Sequence, residues 1–385
     1  MTFTLRSALA ALGAALLLGA ASAQAPGPLQ RIIDPRSEQP MSQRLALLEL
    51  AERALAAGNP AYALIGFERA AMMLHAGDTE MGLVRAWMQS GDYRRALTFS
   101  AHTAGAHKDM PAAAGLYAWL LRAGGQEVFA QRVLSEGLQR SAADPVLLAV
   151  QQAFQARVAV PAPDLLALPH RMAPMMSMAE GQTPPPVDAQ VLGTAVLLGD
   201  GQTAVALQTI VQAGRQIWVR NGLGRTTMAE VQDTPQALSA QGFVLLRLAV
   251  SVGSVDLALA PRDPFAGSQG FTIAYSAQSD GTPAWPLLQQ GFFGGADGST
   301  GMRKLGIPMP GNAASGLVLD ASGHLAGVAF RTRVGQAAML PASVVRGLLA
   351  EAPPDAALPQ PPARIPADEA FERGMRHSLQ VIALP

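Results

Sequence analysis

The chain of 385 residues contains no cysteine, and this absence excludes several kinds of chemistry. Disulfide bridges, metal sites built on thiolates and a cysteine nucleophile are all ruled out. Lysine is also scarce, occurring as Lys108 and Lys304, and the net charge is zero. Because phosphate binding requires clustered positive charge, nucleic acid is not an expected partner. We expect no cofactor and no bound metal.

Long apolar runs are confined to the start of the chain. Arg6 is followed by an apolar run from Ala8 to Ala21, and Ala-Ser-Ala stands directly before Gln24. This is the pattern of a cleaved secretory signal, and the run is shorter than the ~20 apolar residues that span a bilayer. We therefore expect residues 1–23 to be a signal peptide, with a membrane anchor as the alternative. The protein is then exported, to the periplasm of a Gram-negative bacterium or to the outside, without a membrane span after cleavage.

Residues 36–157 are rich in Ala and Leu and are interrupted by glycine at regular intervals. Gly58, Gly91 and Gly125 lie 33 and then 34 residues apart, and each is followed by a polar residue. Apolar residues between them recur at three- and four-residue spacing, which is typical of helices. A repeat of this length predicts stacked helix pairs.

One face of each second helix carries a repeated pattern of small and bulky residues. The pattern is small, then mostly bulky, then small: Ala63, Phe67, Ala70; Ala96, Ser100, Thr103; Ala130, Leu134, Gly137. With "AAGNPAYALIGFERAAMML" and "QSGDYRRALTFSA", this segment resembles about three tetratricopeptide repeats. The resemblance implies a curved array whose concave face holds a peptide or a partner protein. The alternative is a small helical bundle that packs on the next domain.

Three histidines of this half, His75, His102 and His107, are not spaced as metal ligands relative to carboxylates or to one another. We interpret each as an ordinary surface or core histidine.

Residues 158–187 are rich in proline and methionine and lack a sustained period, so they are interpreted as a linker. The following residues 188–350 form short apolar or alternating runs separated by turns, which favours an all-β barrel or sandwich. The runs "GTAVLLGDGQTAVALQTIV", "GFVLLRL" and "PGNAASGLVLDASGHLAGVAF" resemble, in this order, parts of the trypsin-like serine proteases, in particular the exported HtrA branch. The resemblance implies an antiparallel double β-barrel, which makes the whole chain a multidomain α plus β protein.

The catalytic positions that this resemblance implies do not hold catalytic residues. Gln208 stands at the histidine position, Gly242 at the aspartate position and Ala314 at the serine position. A serine needs an imidazole to take its proton and a carboxylate to orient that imidazole. We therefore predict an inactive protease-like domain with no catalytic residue.

Two alternatives to the inactive site were weighed. A shift of one residue would place Thr209 at the histidine position and Ser315 at the serine position, but no histidine lies between Gly201 and this loop. A dyad of Ser315 with Lys304 is not supported by any pattern. The glycines that the resemblance implies around the nucleophile are only partly present, since Ser315-Gly316-Leu317 lacks the second glycine and the proline expected there.

The tail, residues 351–385, begins with a second Pro-rich linker and continues as an amphipathic helix and an apolar strand. In the resembled family such a pair precedes the barrel. Our hypothesis is that the tail supplies the missing first strand to its own barrel or to that of a neighbour. A frayed tail, or a strap on the helical half, is the alternative.

Together these features predict an exported binding or scaffold protein whose partner is a protein or an extended peptide, bound by the repeats or by the old substrate cleft. One alternative is an active serine peptidase or other hydrolase with a non-standard site. The other is a structural subunit of a cell-envelope assembly. The sequence does not define the oligomeric state.

Overall fold

The computed structural model describes residues 39–156, 162–211, 216–253, 256–298, 301–348 and 363–385. The expected signal peptide and most of the second Pro-rich linker lie outside these residues. Within the described ranges, no helix combines the length and the apolar character needed to cross a membrane.

Seven helices form the N-terminal part of the described chain: α1 (Gln39–Ala56), α2 (Pro60–Met73), α3 (Gly77–Ser90), α4 (Tyr93–Ala106), α5 (Pro111–Ala123), α6 (Glu127–Arg140) and α7 (Pro145–Gln155). The three regularly spaced glycines lie in the turns that end α1, α3 and α5. Gly58, Gly91 and Gly125 have φ angles of 74°, 81° and 79°, a left-handed conformation that glycine adopts without steric cost. The predicted helix pairs are confirmed.

The second helix of each pair buries one narrow stripe, and the stripe follows the repeated pattern in the sequence. Its members are Ala63, Phe67 and Ala70 in α2, Ala96, Ser100 and Thr103 in α4, and Ala130, Leu134 and Gly137 in α6. Gly82 shows how closely the helices approach, because a Cβ atom there would lie 2.4 Å from the Phe67 ring. The small residues therefore allow neighbouring helices to pack.

The first helices α3 and α5 are buried on nearly every side. Gln89 of α3 donates side-chain hydrogen bonds to the carbonyls of Leu55 and Met175, the latter in the Pro- and Met-rich segment. The turn after α5 lies against the β-rich half, where a Cβ on Gly125 would come within 3.0 Å of the Leu288 carbonyl. The repeats are thus packed on the rest of the chain, which favours the bundle alternative over an open concave groove.

The Pro- and Met-rich segment is held at several points. It contains a 3₁₀ turn at Pro163–Leu166, and Met172 is fully buried. The indole N–H of Trp218 donates to the Thr183 carbonyl (2.8 Å). The segment therefore packs along the domains that it connects.

The strands and the remaining helices follow in chain order: β1 (Ser177–Met178), β2 (Gln190–Leu197), β3 (Thr203–Leu207), β4 (Ile217–Asn221), β5 (Arg225–Gln232), α8 (Gln236–Ser239), β6 (Phe243–Leu248), β7 (Gln269–Ala274), β8 (Leu287–Ala296), β9 (Arg303–Gly306), β10 (Ser315–Asp320), β11 (Leu325–Arg331), β12 (Ala337–Pro341), α9 (Ala342–Leu348), α10 (Ala367–His377) and β13 (Ser378–Ala383).

These strands form two closed barrels of six antiparallel strands each. The first barrel has the order β5-β4-β13-β2-β3-β6 and closes through pairing of β6 with β5, while β1 adds to β5 in parallel. The second barrel has the order β10-β11-β12-β9-β8-β7 and closes on itself. The predicted fold class is confirmed in its architecture, because paired helices are followed by an antiparallel double β-barrel.

The C-terminal strand completes the first barrel. β13 pairs with β2 on one side and β4 on the other, and all six of its residues are buried. The tail hypothesis is therefore confirmed in its first form, because the strand enters the barrel of its own chain. Helix α10, directly before it, packs on α4, where the rings of Phe371 and Tyr93 meet with centroids 4.5 Å apart.

Candidate functional site

Two of the three positions that the sequence resemblance assigns to a catalytic triad lie together where β3 ends. Gln208 is exposed and begins a short 3₁₀ turn, and its backbone N–H donates to the Gly242 carbonyl at 2.8 Å. Gly242 immediately precedes β6 and has a φ angle of 83°. This pair offers a carboxamide and a hydrogen atom as its side chains, and neither takes up a proton near neutral pH.

The third position, Ala314, stands immediately before β10. Its carbonyl accepts a hydrogen bond from the Arg331 backbone N–H at 3.0 Å. The next residue, Ser315, has a fully buried side chain, and its hydroxyl donates to the Thr194 carbonyl at 2.6 Å. The hydroxyl of the residue next to the expected nucleophile position thus donates a hydrogen bond that joins the two barrels.

Thr194 is the centre of this contact between barrels. Its hydroxyl accepts a hydrogen bond from the Tyr275 backbone N–H at 2.8 Å, which joins β2 to the end of β7. Burial raises the pKa of the Tyr275 hydroxyl above its ordinary range, so this phenol stays neutral at physiological pH. The junction is therefore uncharged at these residues and is held by short polar contacts.

The loop before β10 presents backbone carbonyls to a cation. The Arg331 guanidinium donates to the carbonyls of Ala313 (3.0 Å), Gly311 (3.0 Å) and Met309 (3.4 Å). The Ala313 N–H is itself used in a turn with the Pro310 carbonyl (2.9 Å). Acyl transfer requires free N–H donors where negative charge develops, and this loop commits one of its N–H groups to a turn.

Phe243, the residue after Gly242, packs in the core, whereas the space at Gly242 itself is open, because a Cβ atom added there would meet no atom within 4 Å. Phe243 is fully buried, and its ring meets that of Phe330 edge-on at 5.4 Å between centroids. The expected aspartate position therefore lacks a carboxylate, although its surroundings leave room for a side chain.

Beyond Arg331 the chain turns back at once. Thr332 and Gln336 are joined by a backbone hydrogen bond of 2.8 Å, and β12 follows directly. Lys304, considered above as a dyad partner for Ser315, is exposed on β9, which lies three strands from β10 in either direction around the barrel. The structure does not bring these two side chains together.

A second cluster, which the sequence analysis missed, lies in the helical half around Glu80. The His75 Nε2 atom is 2.5 Å from Glu80 Oε1, the His107 Nε2 atom is 3.4 Å from Glu80 Oε2, and the His102 Nε2 atom is 3.8 Å from Glu80 Oε1. Glu80 lies in the first turn of α3, whereas His107 follows the last residue of α4. In a pair of antiparallel helices the start of the first helix lies beside the end of the second. The predicted pairing of α3 with α4 therefore already implied that Glu80 and His107 are close, and this signal could have identified the cluster.

Two comparisons with known proteins gave no match: no family model fits the chain, and no curated protein is similar to it. Solved structures give partial similarity. A serine endoprotease from Yersinia pestis shares 14% identity, covering 42% of this chain and 63% of that one, with a TM-score of 0.34. The HtrA-type protease AlgW with decapeptide shares 16% identity, covering 41% and 51%, with a TM-score of 0.34. The chain thus spans less than two thirds of either protein.

Proposed function

We propose that this protein is an exported, non-catalytic binding or scaffold protein that joins a tetratricopeptide-like module to a protease-like double barrel. One observation carries the proposal: the residues at the barrel junction are engaged in structural contacts. Gln208 and Gly242 offer no base or carboxylate, and Ser315 donates its hydroxyl to a backbone carbonyl within the junction. The leader pattern supports export to the periplasm or beyond.

Catalysis is tested with a fluorophosphonate probe, which reacts with activated serine hydroxyls. We expect the purified mature chain to remain unlabelled while an active serine hydrolase in the same tube is labelled. Specific labelling that disappears in Ser315→Ala would overturn the proposal and establish the alternative, an active hydrolase. Thermal unfolding of Ser315→Ala must show a folded protein, since this variant also removes the contact with Thr194.

The partner that we propose is a protein or an extended peptide, and the surface that we propose for it is the outer face of α1 and α2. Leu45, Tyr62, Ile65 and Met72 expose about half of their side chains on these adjacent helices, between 48% and 60%. Apolar side chains grouped on a surface are typical of protein contact sites. The concave side is less suitable, because α3 and α5 are already covered.

Site-specific photocrosslinking tests this surface in an envelope extract. A crosslinking amino acid at position 62 is compared with one at position 265, because Phe265 is also exposed (64%) but lies in the β-rich half. We expect a discrete adduct from position 62 that position 265 does not give. A spacer in an envelope assembly would give the same adducts at both positions or none, and either result would contradict a binding role for this face.

A further inference from the structure

We propose that His75, Glu80 and His107 form a binding site for a divalent transition metal ion, with zinc as the ion whose chemistry fits best. The ligand atoms of the three side chains all lie within 4.8 Å of one another, the one such group of three among the described residues. Two imidazoles and one carboxylate are a donor set that zinc accepts in proteins. The proposal concerns the helical half and is independent of the protease-like barrels.

The Glu80 carboxylate is buried, and one of its two oxygen atoms lacks a hydrogen-bond partner. Glu80 is 3% exposed, and its Oε2 atom has no hydrogen-bond partner. The His107 Nε2 atom is also buried and without a hydrogen-bond partner, and it faces this same oxygen at 3.4 Å. A buried carboxylate costs free energy unless a positive charge compensates it. The imidazole nitrogen beside it is a second atom that could bind a cation. A cation between the two atoms would satisfy both.

The distances between the ligand atoms agree with tetrahedral zinc coordination. Two donors bound to one zinc ion at about 2.0–2.1 Å in tetrahedral geometry lie about 3.3 Å apart. The His107 and Glu80 atoms are at 3.4 Å already, while His75, at 2.5 Å from the other oxygen, would move outward to its own coordination distance. The His75 side chain is 63% exposed, so this adjustment and the entry of the ion meet little obstruction.

The fourth position of the ion faces the exposed side of the cluster. His102, whose side chain is 55% exposed, lies 3.8 Å from Glu80 Oε1 on this side. Three protein ligands and a position open to solvent are the arrangement of an accessible zinc site, as opposed to a closed structural one. A bound ion would also connect the α2–α3 turn, the first turn of α3 and the end of α4.

The close approach of Gly77 to the His107 ring allows His107 to occupy this position. A Cβ atom added to Gly77, at the start of α3, would lie 3.2 Å from the His107 ring and 2.8 Å from the Met110 sulfur. The glycine therefore makes room for the imidazole beside the start of α3. Asp78 adds a second carboxylate in this turn, but it is paired with Arg44 and so is not available to the ion.

The test uses the full mature chain, purified without a histidine tag and stripped of metal, titrated with zinc chloride in a calorimeter. We expect one zinc ion per chain and a raised melting temperature, because an ion that binds only the folded state stabilises it. Glu80→Gln and His107→Asn should each weaken binding by at least ~10-fold, the loss that even outer-shell changes cause at metal sites.

The matched control is His324→Ala. His324 also pairs with a carboxylate, Asp320 at 3.3 Å, but it lies in the β10–β11 hairpin of the second barrel. Binding should be unchanged in this variant. Equal affinity in Glu80→Gln, His107→Asn and His324→Ala would overturn the proposal, as would the lack of saturable binding by the wild-type chain.

A second measurement does not depend on how well the variants fold. X-ray absorption of the zinc-loaded wild-type protein should show nitrogen and oxygen neighbours with the scattering pattern of two imidazoles. A spectrum with water oxygens alone would contradict the proposed ligands.

Discussion

The carboxylate of Glu372 accepts a hydrogen bond of 2.9 Å from the backbone N–H of Arg94, although 278 residues separate them. Arg94 lies in the first turn of α4, where backbone N–H groups have no partner within the helix. The other Glu372 oxygen is 3.2 Å from the Arg94 guanidinium. Since α10 leads directly into β13, one tail both caps a helix of the repeats and closes the first barrel.

Removing this cap should destabilise the protein measurably. We expect Glu372→Ala to lower the free energy of unfolding by about 1 kcal/mol, the usual cost of losing a helix cap, because the α4 N–H group is left without its partner. Urea unfolding measures the change. The control is Glu369→Ala, because Glu369 accepts no helix N–H of α4: its 2.8 Å pair with Arg373 lies within α10 and its pair with the exposed Arg94 side chain is long, at 4.0 Å, so that it should contribute only ~0.3–0.5 kcal/mol. Equal effects of the two variants would argue against a capping role.

The closing strand gives the second prediction. Leu379 of β13 is fully buried, whereas Leu384, just after the strand, is 36% exposed. Leu379→Ala should lower the free energy of unfolding by ~2–5 kcal/mol, because it removes methyl groups from a packed core and leaves a cavity. Leu384→Ala should change it by no more than ~0.5 kcal/mol. Thermal or urea unfolding of both variants checks this, and a tolerated Leu379→Ala would mean that the barrel does not depend on β13.

Much of this fold could be predicted from local patterns. The glycine period and the small residues at Ala63 and Ala96 determine the helix pairs, and they need no information from distant parts of the chain. The strand formed by the tail could be proposed because an apolar run, Leu379 to Leu384, had no local partner and the first barrel lacked a strand. The sequence did not show whether this strand enters the barrel of its own chain or that of a neighbour. The answer depends on the path of the segment before the strand, which amino-acid composition does not define.

The side-chain clusters were harder to predict. The sequence predicted that Gln208, Gly242 and Ala314 stand at the positions of a catalytic triad, but not that Arg331 contacts the carbonyls of the loop before β10. It also left His75 and His107 as isolated histidines. Both contacts join residues at the far ends of neighbouring elements, and they become visible only when the start of α3 is placed beside the end of α4, or the end of β11 beside the start of β10.

Burial of Tyr93 predicts a loss of stability at alkaline pH. Burial, with a smaller effect from Asp368, raises the pKa of this hydroxyl above its ordinary value, and the hydroxyl donates to the Leu120 carbonyl at 2.9 Å. Above pH ~10 the unfolded chain loses the proton that the folded state retains, so stability falls as the pH rises. For one such group the loss approaches about 1.4 kcal/mol per pH unit.

The variant Tyr93→Phe isolates this contribution. Its stability should be below that of the wild type at pH 8, because the hydrogen bond is lost, and the difference should shrink by about 1 kcal/mol or more near pH 11. Urea unfolding at both pH values measures it. Tyr62→Phe is the control, since Tyr62 is 54% exposed. A difference between wild type and Tyr93→Phe that does not depend on pH would show that the folded state ionises as readily as the unfolded one.

The last prediction concerns the barrel junction. Restoring the three side chains by Gln208→His, Gly242→Asp and Ala314→Ser should not produce a protein that reacts with a fluorophosphonate probe. The new carboxylate would stand at a residue with a φ angle of 83°, a conformation that costs a residue with a side chain about 1 kcal/mol or more. The loop would still have its Ala313 N–H engaged with Pro310 and its carbonyls held by Arg331.

Adding Arg331→Ala to the same triple variant separates the effect of the three side chains on reactivity from the effect of the loop conformation. If Arg331 alone keeps the loop from binding an oxyanion, this fourth substitution should give the first detectable labelling, whereas the triple variant should remain at the wild-type level. Circular dichroism and thermal unfolding confirm that both variants are folded, and an active serine hydrolase in each reaction confirms that the probe is intact. Labelling of the triple variant at position 314 would show instead that the loop already has the conformation for catalysis, and that the residues at these three positions are the whole difference between the wild type and a reactive protein.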